Sequence, residues 1–593
     1  MGAHRQGRYT PDRRRLVTHP RRHRRWTPRG TWVLTAVVGG LALAVAWVLL
    51  TLPPRPRVVD LSVLESEATV AGAFHIHTTR SDGQGSVDDV ARAAAQAGLQ
   101  FLVVTDHGDG TRLPDPPQYR SGVLTIDSVE ISTTGGHYIA VGLPAAPYPL
   151  GGEPDTVVED VRRLGGFGVV AHPTSPKTGL LWRDPALAFD AIEWLNADSE
   201  WRDESRVRLL TSALRYPLRP RETLASLLSR PDDALALWDR ASRRRQTVGL
   251  AGHDAHGRVL TGTPEEGSVS LGLGFPGYAE LFQTFSLRVQ LDRPFTGDGH
   301  DDAESLLHAI RAGRTFTVID AVASPAVFQF EAIGPARTYS MGDRVPTGTP
   351  VELRAAAAAP PGTDILLFAD GRPVHTVTDQ ELRYRAEEPA VYRVEVRVNG
   401  TAGESSVPWI VGNAIIVGDP PVVPPPHLRI PTARRSLMGR IRAQGGVWTV
   451  EHDPGSTVEI STDSGRLVVR YRLADSATAS PYAAAMRPVQ GLVLASFDGV
   501  AFDVVADRPV RLFVQLRAGE LSGGPRWRSS FYADTVPRRV TIAFDEFDPA
   551  GPDLDGDPDL PRVDALLLVA ELVNALPGSA AEVTVRGLRL ERW

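Results

Sequence analysis

The sequence predicts an α/β domain carried behind one long apolar helix and followed by two β-sandwiches. Three observations predict it. Between residues 70 and 320, short apolar runs alternate with amphipathic helical stretches, the pattern of a parallel α/β fold. An uncharged span of 22 residues fills positions 31–52. Beyond residue 325 the hydrophobic period falls to two, with Asp-Gly and Asn-Gly turns between the runs.

The apolar span TWVLTAVVGGLALAVAWVLLTL reads as a transmembrane signal anchor at 31–52. At about 1.5 Å per residue it reaches roughly 33 Å, enough for a hydrocarbon core of about 30 Å. Trp32 and Trp47 stand towards its ends, where amphipathic rings favour the interface. Residues 1–30 form a basic tail with ten arginines against one acid, Asp12. The positive-inside rule keeps such a tail cytoplasmic and places the body of the chain outside the cell membrane. A cleaved signal peptide would end on an A-x-A site, whereas LPPRPR follows here.

Composition removes several classes of function. With 593 residues the chain holds two to four folded units. It has no cysteine, which excludes disulfides, zinc-thiolate sites and a cysteine nucleophile. The net charge is −6, and because the first 30 residues are strongly basic, the remainder is more acidic still. An acidic body does not suit nucleic acid, whose phosphates need clustered cations.

Along the 70–320 domain, AGAFHIH (71–77) and LQFLVVTDH (99–107) read as buried strands around the helix SVDDVARAAAQAG (86–98), capped by Ser86 and ended by Gly98. The helix DTVVEDVRRLGG (155–166) precedes the strand FGVVAHP (167–173). AFDAIEWLN (188–196) and QTVGLAGHDAH (246–256) are further strands on either side of a mainly helical stretch, 204–246. DAESLLHAIRAGR (302–314) is a helix closed by Gly313. Residues 325–417 form the first β-sandwich, 418–430 a proline-rich linker, and 445–593 the second sandwich, loosely similar to galactose-binding jelly rolls.

Metal-ligand residue types gather just past the predicted strand ends: His75 and His77, Asp106 and His107, Glu130 and His137, His172, then Asp254 and His256. In a parallel barrel those ends share one face. On the strand AGAFHIH, side-chain alternation turns both imidazoles of HIH to the same side. Neutral imidazole and carboxylate suit Zn²⁺, Mn²⁺ or Fe²⁺, and a shared carboxylate can bridge two ions. There is no Walker A loop and no G-x-S-x-G elbow to compete with this reading.

FHIHTTRSDG (74–83), VVTDHG (103–108), EISTTGGH (130–137), GGFGVVAHP (165–173) and AGHDAH (251–256), in that order, resemble the successive motifs of the PHP (polymerase and histidinol phosphatase) superfamily. AIRAGRTFTV (309–318) with a β-rich tail resembles more narrowly its carbaryl and carbamate hydrolase branch. The resemblance covers about residues 70–415 and implies a distorted (β/α)7 barrel with two or three divalent metals, Zn, Mn or Fe. By motif, His75, His77, Glu130 and Asp254 hold the first ion. Glu130 bridges to a second ion on His137 and His172. Asp82, His107 and His256 hold a third. His253 stands where the family commonly has a small residue and is not counted as a ligand.

The function so implied is a metal-dependent hydrolase using a metal-bridging hydroxide, with Glu130 and Asp254 at its catalytic centre. Its substrate would be a small-molecule or cell-surface phosphoester. The alternatives are a carbamate or ester hydrolase, a 5′–3′ exonuclease, and a non-catalytic surface polysaccharide-binding protein on the same scaffold. Three weaker expectations remain. Lys177, the one lysine of the chain, follows His172 by five residues; a compact ammonium there suits an anionic oxygen, and a solvated loop lysine is the plain alternative. Asp553, Asp555, Asp557 and Asp559 alternate in a loop suited to Ca²⁺, or merely solvated. Trp448, Trp527, Phe531 and Tyr532 would offer a carbohydrate a stacking surface, or else pack inside the domain.

Overall fold

Between Thr69 and Val318 the chain alternates strand and helix, and each helix begins and ends where its local chemistry dictates. The computed structural model describes residues 28–60, 68–257, 260–261, 269–270, 276–399, 407–419, 429–438, 448–463, 465–476, 480–489, 491–519, 524–551 and 556–593. Two compact units result, Met1–Leu52 and Pro53–Trp593. In the first, α1 (Pro28–Leu50) is a helix of 23 residues, long and apolar enough to cross a membrane, and its apolar side chains from Trp32 onward are largely exposed.

In the second unit, β1 (Thr69–Phe74) leads to α2 (Val87–Gln96). Ser86 and Asp89 close a reciprocal capping box at its start, and Gly98, with φ 77°, follows its end. Val87, Val90, Ala91 and Ala94 make its buried stripe at helical spacing. Next come β2 (Phe101–Val104), β3 (Val123–Asp127), β4 (Val129–Thr133), β5 (Gly136–Val141), α3 (Pro154–Arg163), β6 (Phe167–Val170) and β7 (Ala191–Asn196). A helical stretch ending in α4 (Asp232–Ser242) leads to β8 (Val248–Gly252), β9 (Ser286–Gln290), α5 (Gly299–Arg311) and β10 (Thr315–Val318).

The strands form two sheets that meet at one end. The first runs β10-β9-β1-β2-β3 and the second β8-β7-β6-β5-β4. Isolated bridges Ile76↔Ala255 and His107↔Glu130 join them; Ile76, Ala255 and His107 lie just past strand ends and Glu130 lies in β4. β1, β2 and β3 are parallel, as are β6, β7 and β8. The sheets are not parallel throughout, as the alternation of apolar runs suggested. β4, β5 and β6 are antiparallel, and β9 opposes both β1 and β10. For β4 and β5 the cause is their short connection, which leaves no room for a crossover helix. Its turn needs glycine: Gly136 has φ 115°, and a Cβ there would meet Leu181 O at 3.0 Å.

The sheet of β1 does not stop at β10. Ile410–Gly412 pairs with β10, and Ala390–Val398 and Thr363–Ala369 continue outward. A second sheet of Phe328–Ile333, Val351–Ala357 and Glu381–Ala386 faces it over an apolar core around Leu353, Leu367 and Trp409. Asn413 fastens the junction, donating to the carbonyls of Gly249 and Thr315 at 2.9 and 3.0 Å.

Residues 448–593 build two six-stranded sheets around a core that includes Leu467, Phe502, Leu512 and Leu568. Trp448, Trp527 and Phe531 belong to that core at 5%, 5% and 3% exposure, so they cannot stack on a sugar. Tyr532 is likewise buried, against Tyr148 and beneath the Arg163 guanidinium at 3.4 Å. The first three fill the domain's own core, and Tyr532 packs against the neighbouring α/β domain. Of the acidic loop, Asp553 and Asp555 lie outside the described residues, while Asp557 and Asp559 are exposed.

The last domain is clamped to α3. Buried Arg511 donates to both oxygens of buried Asp160 at 3.0 and 2.6 Å and to Glu159 at 2.6 Å. Arg528 reaches Glu153 at 3.2 Å, and Asn574 donates to Pro149 O at 3.1 Å. Breaking a buried pair leaves an uncompensated charge, a loss of about 3–5 kcal/mol. Arg511→Ala is therefore expected to destabilise the Pro53–Trp593 unit on that scale in chemical denaturation. The double variant Arg511→Met/Asp160→Leu should recover much of the loss. Equal stability of Arg511→Ala and the parent chain would refute the clamp.

Candidate metal centre

Nine side chains meet where the two sheets join, and three of them leave their strands through an unusual backbone. His75, His172 and Asp254 have φ of 63°, 31° and 47°. Left-handed conformations cost a non-glycine residue on the order of 1–3 kcal/mol and persist only where the surroundings over-determine them. β1 already ends at Phe74, so strand alternation does not aim the two imidazoles of HIH. The turned backbone at His75 brings them together instead, with the Nε2 atoms of His75 and His77 3.1 Å apart.

Glu193 fixes this turn. Its Oε1 lies 2.7 Å from His75 Nδ1, and its Oε2 accepts the backbone N–H of His172 at 2.7 Å. Asn196 supports it, donating to Glu193 Oε2 at 2.8 Å and to Asp254 Oδ2 at 3.4 Å. A side chain at position 252 would overlap the Glu193 carboxylate, which is why Gly252 stands there. With Nδ1 of His75 engaged by Glu193, Nε2 faces the cluster. His172 is held the same way: its Nδ1 lies 3.2 Å from Leu180 O, and its Nε2 points at Glu130.

The sequence alone passed over Glu193, although one signal was present. An acid inside the apolar strand AIEWL is buried whichever face it takes, and a buried carboxylate needs partners. Asp106 was seen at a strand end, but its role is different from that of the ligand types around it. It accepts from Thr78 N, Thr78 Oγ1 and Ser81 Oγ at 2.6–2.7 Å, folding the 78–81 turn beneath Asp82.

All nine expected ligands converge. Around His75 and His77, Glu130 Oε2 lies 3.3 and 3.2 Å from the two Nε2 atoms, and Asp254 Oδ1 lies 3.4 and 3.3 Å from them. Glu130 turns its other oxygen outward, with Oε1 2.8 Å from His137 Nδ1 and 3.0 Å from His172 Nε2. His256 Nε2 lies 3.2 Å from Asp82 Oδ2, and His107 Nε2 3.8 Å from the same atom. Donors bonded at 2.0–2.2 Å to a shared tetrahedral ion stand about 3.3 to 3.6 Å apart. The atoms cluster as His75–His77–Asp254, His75–Glu130–His172, His107–Glu130–His137 and His77–Asp82–His107–His256. His107 Nδ1 is 3.2 Å from Glu130 Oε2 and makes no hydrogen bond.

Electrostatics agree. Burial opposes charge on His75, yet Asp254, Glu193 and Glu130 outweigh it and hold the imidazole well above its usual range. Against the same burial, Asp254 and Glu130 raise His77 to about 10. Burial would raise Glu130, but His75, His107 and His137 hold it well below the carboxylate range. The clustered carboxylates thus draw protons onto imidazoles, positive charge that bound cations would supply instead. His253 faces away: its ring stacks on Phe285 at 4.0 Å, its Nε2 meets Phe285 O at 2.9 Å, and burial lowers it to about 4. Lys177 sits half-buried on the 172–182 loop that holds His172.

No family model matches the chain. An uncharacterized protein of Methanocaldococcus jannaschii is 28% identical over 138 residues, 21% of this chain and 80% of that protein. A two-domain protein of Bacteroides vulgatus, described as containing a predicted PHP-like metal-dependent phosphoesterase, matches over 61% of this chain and 98% of its own, at 14% identity and a TM-score of 0.27. The family 11 carbohydrate-binding module of a Clostridium thermocellum cellulase matches over 27% of this chain and 95% of its own, at 16% identity and a TM-score of 0.22. At such overlaps the ligand geometry carries the functional reading.

Outer partners of metal-binding histidines typically contribute 10–100-fold to affinity. Glu193→Gln is expected to weaken metal binding by that factor while leaving the fold intact, as read by competition with a chelating dye and by circular dichroism. Unchanged affinity would remove Glu193 from the site.

Proposed function

We propose that the chain is a metal-dependent phosphoesterase, anchored by Pro28–Leu50 with its N-terminus cytoplasmic and the Pro53–Trp593 unit outside. One observation carries the chemistry: Glu130 directs its two oxygens to two different histidine groups, Oε2 to His75 and His77 and Oε1 to His137 and His172. A carboxylate so placed is that of a bridging ligand. His75, His77, Glu130 and Asp254 would hold a first ion, Glu130, His137 and His172 a second, and Asp82, His107 and His256 a third. Divalent ions there supply Lewis acidity and acidify bound water.

The protein's own groups do the rest. Glu193 and Leu180 O hold His75 and His172 in the ring orientation that presents Nε2. The buried walls of the cluster limit competing water and strengthen every charge interaction within it. Lys177, on the loop after His172, is suited to meet anionic oxygen as charge builds.

Glu130→Gln is expected to lose both metal content and turnover, by at least the roughly 100-fold seen when even outer partners are removed. Metal analysis with assays on aryl phosphates, bis-aryl phosphates and aryl carbamates, in Mn²⁺ or Zn²⁺, tests it. Metal and rate near those of the parent chain would overturn the assignment at its centre, and turnover of carbamates alone would overturn the phosphoester reading.

The topology rests on the block Arg13, Arg14, Arg15, Arg21, Arg22, Arg24 and Arg25 before the apolar helix. Protease added to intact spheroplasts should digest the chain beyond Pro53. Full protection would contradict an outside location.

A further inference from the structure

The cluster stands between two cavities of opposite character. On the Asp254 and His256 side lies a cavity of about 220 Å³, walled by Ala213, Tyr216, Leu224, Leu228, Leu281 and Phe285. On the His107 side lies a smaller one of about 130 Å³, flanked by Arg80, Arg112 and Asp109. Arg112 binds Asp127 through two 2.8 Å hydrogen bonds and still leaves 48% of its side chain exposed. His256 and His107 belong to one ligand group, so that group links the two cavities. An apolar cavity of roughly 150 Å³ accepts benzene, so the larger one has room for a ring or a short run of methylenes.

The wall of the apolar cavity is two-faced. In the helix Arg206–Arg215, Leu209, Ser212 and Ala213 line the cavity. Val207, Leu210 and Leu214, with Leu218 beyond the helix end, recur at helical spacing on another side and are 73%, 66%, 53% and 54% exposed. Arg206 and Arg208 flank them. Leucines beside arginines on an exposed helix are the composition of helices that lie in a membrane interface. Arg219, next to Leu218, donates to the carbonyl of Pro53.

We propose that the substrate is a phosphoester bearing an apolar group, with that group in the 213–228 cavity and the polar remainder towards Arg80 and Arg112, and that it is drawn from a lipid surface on which the 206–218 face rests. This deepens the phosphoesterase reading and rests on it.

The test uses the full chain, Mn²⁺-loaded, in dioleoylphosphatidylcholine vesicles. Calorimetry compares phenylphosphonate with methylphosphonate. Burial of a ring predicts roughly ten- to hundredfold tighter binding of the phenyl compound. Ala213→Trp, which fills the cavity from an exposed position, should bring the two within about twofold of each other. Equal affinities in the parent chain overturn the cavity assignment. If neither phosphonate binds, the phosphoesterase reading falls and takes this inference with it. The lipid source is read separately, as turnover of hexadecyl p-nitrophenyl phosphate in the vesicles against soluble bis(p-nitrophenyl) phosphate. Leu210→Glu/Leu214→Glu should slow the first at least tenfold and leave the second within about twofold. Equal effects on both, or on neither, overturn the lipid surface.

Discussion

The site depends on one buried carboxylate that is not itself among the expected ligands. Glu193 stands on β7 in one sheet, and the ring it holds, His75, ends β1 in the other. Its second oxygen takes the backbone N–H of His172. One side chain thus ties the two sheets together at the site, where three residues stay in a left-handed backbone. A group this deeply buried is stable only because both oxygens are engaged, by His75, by the His172 amide and by Asn196.

Much of this was legible in the sequence, and the rest was hidden for physical reasons. Helix starts and ends were local: Ser86, Gly98 and Gly313 act through caps formed by neighbouring residues. Ligand types were legible because imidazole and carboxylate recur at strand ends, and all nine converge. How they converge was not legible. Alternation along HIH gives the right outcome for His75 and His77 by the wrong route, since a left-handed residue leaves no mark beyond an ordinary histidine. The hairpin of β4 and β5 was hidden behind Glu130 and His137, whose short spacing by itself forbids a crossover. The aromatics of the last domain show the general difficulty: apolar area that suits a ligand suits a protein core equally, and here burial claims it.

The domains are less separate than the change in hydrophobic period suggests. The sheet that carries His75 at one strand end continues through β10 into the first sandwich, so strand pairing crosses the change of composition. Asn413 and Arg393 add polar ties there, the latter binding Asp239 of α4 at 2.7 and 2.9 Å. Each tie is a buried polar group satisfied by a residue far away in sequence, which periodicity does not reveal.

The clamp between Arg511 and Asp160 bears on how such a protein can be inherited. Asp160 lies on α3, the helix that leads directly into the strand before His172. A chain that ended after the first sandwich would keep every side chain of the cluster and yet expose Tyr148 and leave Asp160 with fewer partners. The terminal domain is therefore not freely exchangeable with an unrelated module. Lineages that shuffle it must replace the arginine and its acceptor together, so the two halves of the Pro53–Trp593 unit are expected to descend as a pair.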